Sequence, residues 1–136
     1  MFQQDGASRG LGMHLVEATS GRAELTMVVT DEHVNGLDVC HGGLIFTLAD
    51  SAMAFASNAD NQVALAAHGD IYWMSPARRG DRLTATATLN HQQGRTGVYD
   101  VSVTNQNGHT VAVFRGQTRS APTQAGPHVK TQVQPE

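Results

Sequence analysis

The sequence predicts an α+β domain, a curved antiparallel sheet wrapped around one long central helix. Three features carry that expectation. From about Gly43 to Asn58, apolar residues cover most of a helical circumference, and a helix apolar on most faces is buried on most faces. The segments on either side alternate with period two, as half-buried strands do. The later segments follow one another through turn-forming residues, so they pair as hairpins in a sheet free to curve about the helix.

Leu11 to Glu17 and Arg22 to Thr30 are expected as the first two strands, joined by the turn-like Thr19-Ser20-Gly21. In the second, Ala23, Leu25, Met27 and Val29 alternate with polar or exposed positions. Asp31 to Cys40 reads as a polar loop containing Asn35-Gly36, a strong turn pair. Within the helix, Leu44, Ile45, Leu48, Ala49, Ala52, Met53, Phe55 and Ala56 form the apolar surface, and the alanines admit close approach of other backbone. Val63 to Met74 is a long apolar strand ending at Ser75-Pro76. Leu83 to Gln92 sets Thr84, Thr86 and Thr88 against Ala85, Ala87 and Leu89. Gly94 to Gly97 turns the chain into a strand from Val98 to Thr104, with Val101 and Val103 on one face. Asn105-Gln106-Asn107-Gly108 predicts a tight hairpin, because Asn-Gly favours the positive φ angles of a primed turn, and Thr110 to Thr118 returns. One domain over residues 11–120 is thus flanked by a polar N-terminal lead, 1–10, and a flexible C-terminal tail, 121–136, that lacks periodicity.

The chain has 136 residues, 40% apolar and 15% charged, and a formal net charge of −3. That balance gives no reason to expect a nucleic-acid partner. No apolar run approaches the roughly twenty residues that span a bilayer, and Met1 to Gly10 lacks the apolar core of a signal peptide, so no membrane partner and a cytoplasmic location are expected. The single cysteine, Cys40, has no intramolecular disulfide partner. The His residues, at positions 14, 33, 41, 68, 91, 109 and 128, include no HxxxH pair and no zinc spacing with cysteine, so no metal site is expected.

The chemistry concentrates in His41-Gly42-Gly43-Leu44-Ile45-Phe46-Thr47-Leu48-Ala49-Asp50. Gly42 and Gly43 leave backbone N–H groups bare at the expected helix N-terminus, where partial positive charge and unpaired donors can hold a developing oxyanion. Asp50 has Phe46 one turn before it and Met53 and Ala54 one turn after, so its carboxylate is either poorly solvated or lines a cleft. Donors for an oxygen together with a carboxylate to promote attack point to acyl-group hydrolysis. Most single Asp residues are solvated and most Gly-Gly pairs are loops, which is the plain alternative.

These residues carry a resemblance to the hotdog-fold acyl-CoA thioesterases of the phenylacetate-degradation (PaaI) type. The matching segments are His33-Val34-Asn35-Gly36, Cys40-His41-Gly42-Gly43, Leu48-Ala49-Asp50, Met74-Ser75-Pro76-Ala77, Gly97-Val98-Tyr99-Asp100 and Val113-Phe114-Arg115-Gly116, in order across Leu11 to Arg119. The resemblance implies a hotdog fold and hydrolysis of (hydroxy)phenylacetyl-CoA or a similar aryl or medium acyl-CoA. It implies Asp50 as the catalytic carboxylate, either as general base on water or as nucleophile through an anhydride. It implies Gly42 as the N–H that polarises the thioester carbonyl, and Asn35 as a side chain that holds the carbonyl or the attacking water. His41 either matters at the helix start or is only a helix-entry residue. Some animal relatives carry a Ser ten residues before the Ser-Pro proline, where this chain has Ala66.

Gly42 and Asp50 are eight residues apart, about 12 Å along a helix. A carbonyl held at Gly42 lies beyond the reach of Asp50 on the same helix. Two antiparallel helices would bring each Gly42 to the other subunit's Asp50, so the site is expected at a homodimer interface. The family pattern adds a dimer of dimers. Gly43, Phe46, His41, Arg78, Arg79 and Arg115 are the further candidates for holding substrate, the arginines for the phosphates of coenzyme A, while Phe46, Met53 and Trp73 are candidates to line an acyl pocket, with a place in the core as the plain alternative. No cofactor is expected, coenzyme A being part of the substrate. Thioesters release a good leaving group, so one carboxylate and an oxyanion site suffice without a Ser-His-Asp triad or a GxSxG elbow. A hotdog dehydratase is disfavoured by the lack of Asp/His or Glu/His patterning. The alternative from another class is a non-catalytic acyl-CoA-binding or regulatory hotdog module.

Overall fold

The computed structural model describes residues 1–122. Its main elements are α1 (Gly6–Gly10), β1 (His14–Thr19), β2 (Arg22–Val28), α2 (Gly42–Ser57), β3 (Ala64–Trp73), β4 (Arg82–Gln93), β5 (Thr96–Thr104) and β6 (Thr110–Ser120). The strands form one six-stranded sheet in the order β1-β2-β4-β5-β6-β3, with every neighbouring pair antiparallel. Helix α2 packs against all six strands, most closely β2 and β4. The predicted order of two strands, one helix and four strands holds.

The core is what the period-two pattern selects. Ala23, Leu25 and Met27 of β2 are fully buried, as are Leu83, Ala85 and Ala87 of β4 and Val101 and Val103 of β5. Cross-strand register stacks Leu25 on Ala85 and Ala85 on Val103, so the alanines keep the central strands close to the helix. Met53, considered above among the apolar groups near Asp50, faces the sheet and belongs to this core. Gly116 explains the glycine of the Phe114-Arg115-Gly116 segment. A Cβ there would collide with Met53 and lie 2.7 Å from the Phe114 ring, so a side chain would cost about 1–3 kcal/mol of overpacking.

Two features differ from the sequence reading, the N-terminal lead and the last hairpin. The lead is partly folded: α1 is capped by Asp5, whose carboxylate accepts the Ser8 N–H at 2.9 Å, and Phe2 lies 5.7 Å from Phe55 between ring centroids. Leu11 therefore ends that helix, and the first strand starts at His14. The loop from Asn105 to Gly108 is a hairpin but not a primed turn, since only Gly108 takes positive φ (+79°). Asn105 Oδ1 instead accepts the N–H groups of Asn107 and His109, the geometry of a type I turn closed by a left-handed glycine. Of the tail, only Ala121 and Pro122 fall within the described residues; the rest, 123–136, lies outside them.

β3 carries the expected apolar residues, but apart from Ala64 and Ile71 its large ones do not join the core. It is an edge strand, and Leu65, Tyr72 and Trp73 are exposed together with the adjoining Met74. A long apolar edge with unpaired backbone is a template for pairing with another strand.

Candidate active site

The segment before α2 is rigid for local reasons. His33 is buried and its Nδ1 accepts the Thr30 N–H at 3.0 Å, closing a short 3-10 turn over Asp31–His33. Asn35 Oδ1 accepts the N–H of Leu37 at 2.9 Å and of Val39 at 3.3 Å, an Asx-type turn. The Cys40 N–H donates to Ala77 O at 2.7 Å and the His41 N–H to His33 O at 2.8 Å, which tie the loop back before the helix begins. Arg79 clamps the outside through ion pairs with both Asp31 and Asp38. This guanidinium is engaged in holding the loop that carries Asn35.

Helix α2 starts at Gly42, one residue earlier than expected, with His41 as its N-cap. The two glycine N–H groups are not equivalent. His41 Nδ1 accepts the Gly43 N–H at 3.0 Å, so Gly43 is capped and the expectation of two bare donors is corrected to one. The Gly42 N–H has no acceptor among the described residues. The Gly42 carbonyl accepts from Trp73 Nε1 at 3.1 Å. The Gly42–Gly43 peptide is therefore held at its N–H by one side chain and at its C=O by another, and the donor left over is the one just before it.

Gly42 and Asn35 line one cleft of about 320 Å³, together with Ile45, Trp73, Met74 and Ser75. Asn35 Nδ2 has no acceptor among the described residues, so the amide keeps a donor available after its oxygen has closed the turn. Asn35→Asp preserves the accepting oxygen and removes the donor. We expect it to keep the melting temperature near wild type and lower turnover about a hundred- to a thousandfold, the effect of losing one oxyanion donor. Turnover unchanged in a well-folded Asn35→Asp protein would reduce Asn35 to a turn former.

Cys40 also borders the cleft, but it is 4% exposed and burial pushes its thiol up to about 11. It stays protonated at neutral pH and is a poor nucleophile.

Asp50 lies two turns further along α2 and is not among the residues lining that cleft. It is half-buried, no side chain among the described residues bonds to it, and desolvation pushes its carboxyl above the ordinary range. Phe46 packs edge-on against Phe114, with centroids 5.3 Å apart, on the same helix. Arg115 is committed to Asp100 through two hydrogen bonds, at 2.7 and 3.0 Å. Arg78 is exposed and makes no ion pair among the described residues, which leaves it the freest cation of the three candidates. Among the described residues, no three His, Cys, Asp or Glu side chains converge as metal ligands would, and no helix is long and apolar enough to cross a membrane.

Of the residues expected from sequence, Gly42 and Asn35 share one cleft and Asp50 lies outside its lining, while the His41 cap, the Arg79 clamp and the Trp73 bond were not expected. His41 had a local signal, its place immediately before the helix. The bond of Trp73 had none, its donor being 31 residues from its acceptor.

Comparison with known proteins accords with this geometry. Residues 37–112 match the thioesterase superfamily. The chain is 42% identical to the acyl-coenzyme A thioesterase PaaI of Escherichia coli (strain K12) over 118 residues, 87% of this chain and 84% of that protein. It superposes on the structure of the E. coli PaaI protein from the phenylacetic acid degradation operon with a TM-score of 0.88 at 40% identity, covering 91% of this chain and 90% of that one. The smu.793 protein of Streptococcus mutans, solved bound to acetyl-CoA, aligns with a TM-score of 0.78 at 27% identity over 84% of this chain and 92% of its own. The buried central helix and the six-stranded antiparallel sheet about it are those of a hotdog-fold protein, and the chain belongs to the thioesterase superfamily.

Proposed function

We propose that the protein hydrolyses an arylacetyl-CoA, phenylacetyl-CoA or its hydroxylated form, or a similar compact acyl-CoA, to the free acid and coenzyme A. The observation that carries this reading is the Gly42 N–H, without an acceptor among the described residues, at the start of a 16-residue helix and on a residue that lines one cleft with Asn35. The helix dipole reinforces that donor where negative charge develops. The Asp50 carboxylate takes a proton from water as the oxygen attacks the thioester carbon. The carbonyl oxygen becomes an oxyanion at the Gly42 N–H, and its collapse breaks the C–S bond and releases the thiolate. No resident cofactor enters the reaction. The relative named as an acyl-coenzyme A thioesterase and the similar structure bound to acetyl-CoA support coenzyme A as the carrier.

The site in this reading is shared by two copies. Gly42 and Asp50 sit about 12 Å apart along one continuous helix, so the two groups serve one carbonyl only across an interface. The exposed Leu65 and Tyr72 on the β3 edge support a second copy as the partner, with pairing into a dimer of dimers. Arg78 is the cation best placed to meet a CoA phosphate, Arg79 and Arg115 being held by carboxylates. The protein is read as cytoplasmic.

The test is a panel of phenylacetyl-, hydroxyphenylacetyl-, benzoyl- and straight-chain acyl-CoAs, with thiol release as readout. The expected result is the highest kcat/KM on the arylacetyl members. Binding of the panel with no thiol release from any member would identify a binding module instead.

A further inference from the structure

Trp73 is the one tryptophan of the chain, and its surroundings are unusual for a residue at the end of an edge strand. Its indole N–H reaches across to the first residue of α2 and donates to Gly42 O at 3.1 Å. Its ring also lies against the Gly42 α-carbon: a Cβ at that position would be 3.1 Å from Cε2 and Nε1. The ring is therefore in van der Waals contact with the very residue whose N–H is free. Yet in the single chain 54% of Trp73 is exposed, and the same side chain lines the cleft that holds Gly42 and Asn35. A large aromatic ring is tethered by its one polar atom, with much of its surface left uncovered beside the oxyanion donor.

Resting on the function proposed above, we infer that Trp73 is the specificity-determining wall of the acyl site. A thioester carbonyl bound at the Gly42 N–H has two substituents, and the indole flanks the space that one of them must occupy. The arylacetyl ring gains most from that neighbour, because offset or edge-on aromatic contacts add to simple burial. The pantetheine arm, thin and amide-rich, gains little from it. The bond to Gly42 O keeps the wall in register with the donor. Indole movement is thereby coupled to the orientation of the Gly42–Gly43 peptide, which His41 Nδ1 holds from the other side.

Two variants separate wall from tether. Trp73→Leu removes both, and Trp73→Phe keeps an aromatic wall without the N–H. The kcat/KM ratio of phenylacetyl-CoA to hexanoyl-CoA should fall about three- to tenfold in Trp73→Leu. It should stay within about twofold of wild type in Trp73→Phe, whose kcat should drop about fivefold on both substrates, the effect of one neutral hydrogen bond. Because the protein has one tryptophan, binding is also visible without turnover. Saturation of the wild type with the unreactive thioether S-phenethyl-CoA should quench and shift the indole emission, and S-butyl-CoA should do so less. An unchanged substrate ratio in Trp73→Leu, or indole emission unmoved at S-phenethyl-CoA saturation established by calorimetry, overturns the wall. Absence of thiol release by the wild type from every acyl-CoA would instead remove the proposed function, and the wall with it.

Discussion

Asp50→Ala is expected to lower turnover by two or more decades while leaving the fold and the KM near wild type. Loss of a general base or nucleophile carries an effect of that size, whereas loss of a surface carboxylate carries none. The environment of Asp50 sharpens the expectation. Burial raises its carboxyl above the ordinary range, so the acidic limb of the kcat/KM profile should lie above that range and disappear in Asp50→Asn. The same shift has a sign for stability. A carboxyl raised in the folded state stabilises the fold fully only below its unfolded pKa, and the contribution is lost as pH rises through the folded value. Ionised Asp50 is therefore a burden at neutral pH. Asp50→Asn should melt higher than wild type at pH 7, and the two should converge in acid below the ordinary carboxylate range. Thermal melts across pH read this directly. Near-normal turnover in Asp50→Ala would remove the hydrolytic assignment of this residue.

Mixed dimers should recover activity that neither parent has. One copy carries Asp50→Ala and the other Gly42→Pro, which deletes the backbone N–H. Each homodimer is expected to be nearly inactive. In the mixed dimer both defects fall into one site, and the other site receives an intact Gly42 from one copy and an intact Asp50 from the other. Purified through two different tags, the mixed species should show up to about half of wild-type activity per dimer. The Trp73 ring lies against Gly42, so any side chain there disturbs it, and Gly42→Ala supplies the control. It places the same carbon against the indole but keeps the N–H, and should be far more active than Gly42→Pro. Dead mixed dimers, with folding and dimerisation shown by circular dichroism and sizing, would assign both groups to one subunit.

Much of the fold could be read from hydrophobic spacing alone, because the spacing and the core are the same physical fact. Leu25, Met27, Leu83, Ala85, Ala87, Val101 and Val103 all fall where period two places them, on the face that meets α2. What escaped was held together by polar atoms. Helix α1 packs through Ser8, whose hydroxyl donates to Asp5 Oδ2 at 2.7 Å and lies 3.0 Å from the Ser51 hydroxyl of α2. No apolar pattern announces such a contact, so the first ten residues read as a mere lead. The Asn105 turn was misjudged for a related reason: its side-chain oxygen, rather than the Asn-Gly pair, dictates the backbone. At the candidate site, the sequence does not distinguish the two glycines at the helix start. Gly42 and Gly43 look alike in sequence, and only the imidazole of His41 makes them different.

The burial of Cys40 bears on what happens after the reaction rather than during it. A hydrolase of CoA thioesters releases a thiol at its own doorstep, and a reactive cysteine beside the product would exchange into mixed disulfides with it whenever oxidant was present. Cys40 borders the cleft yet is withdrawn from that chemistry. With its thiol pushed up to about 11, roughly one molecule in ten thousand carries the thiolate at pH 7. Intact-protein mass spectrometry after prolonged turnover in air should accordingly find no mass increment equal to coenzyme A. The single sulfhydryl of this chain is thereby kept redox-silent beside the cleft that holds Gly42 and Asn35.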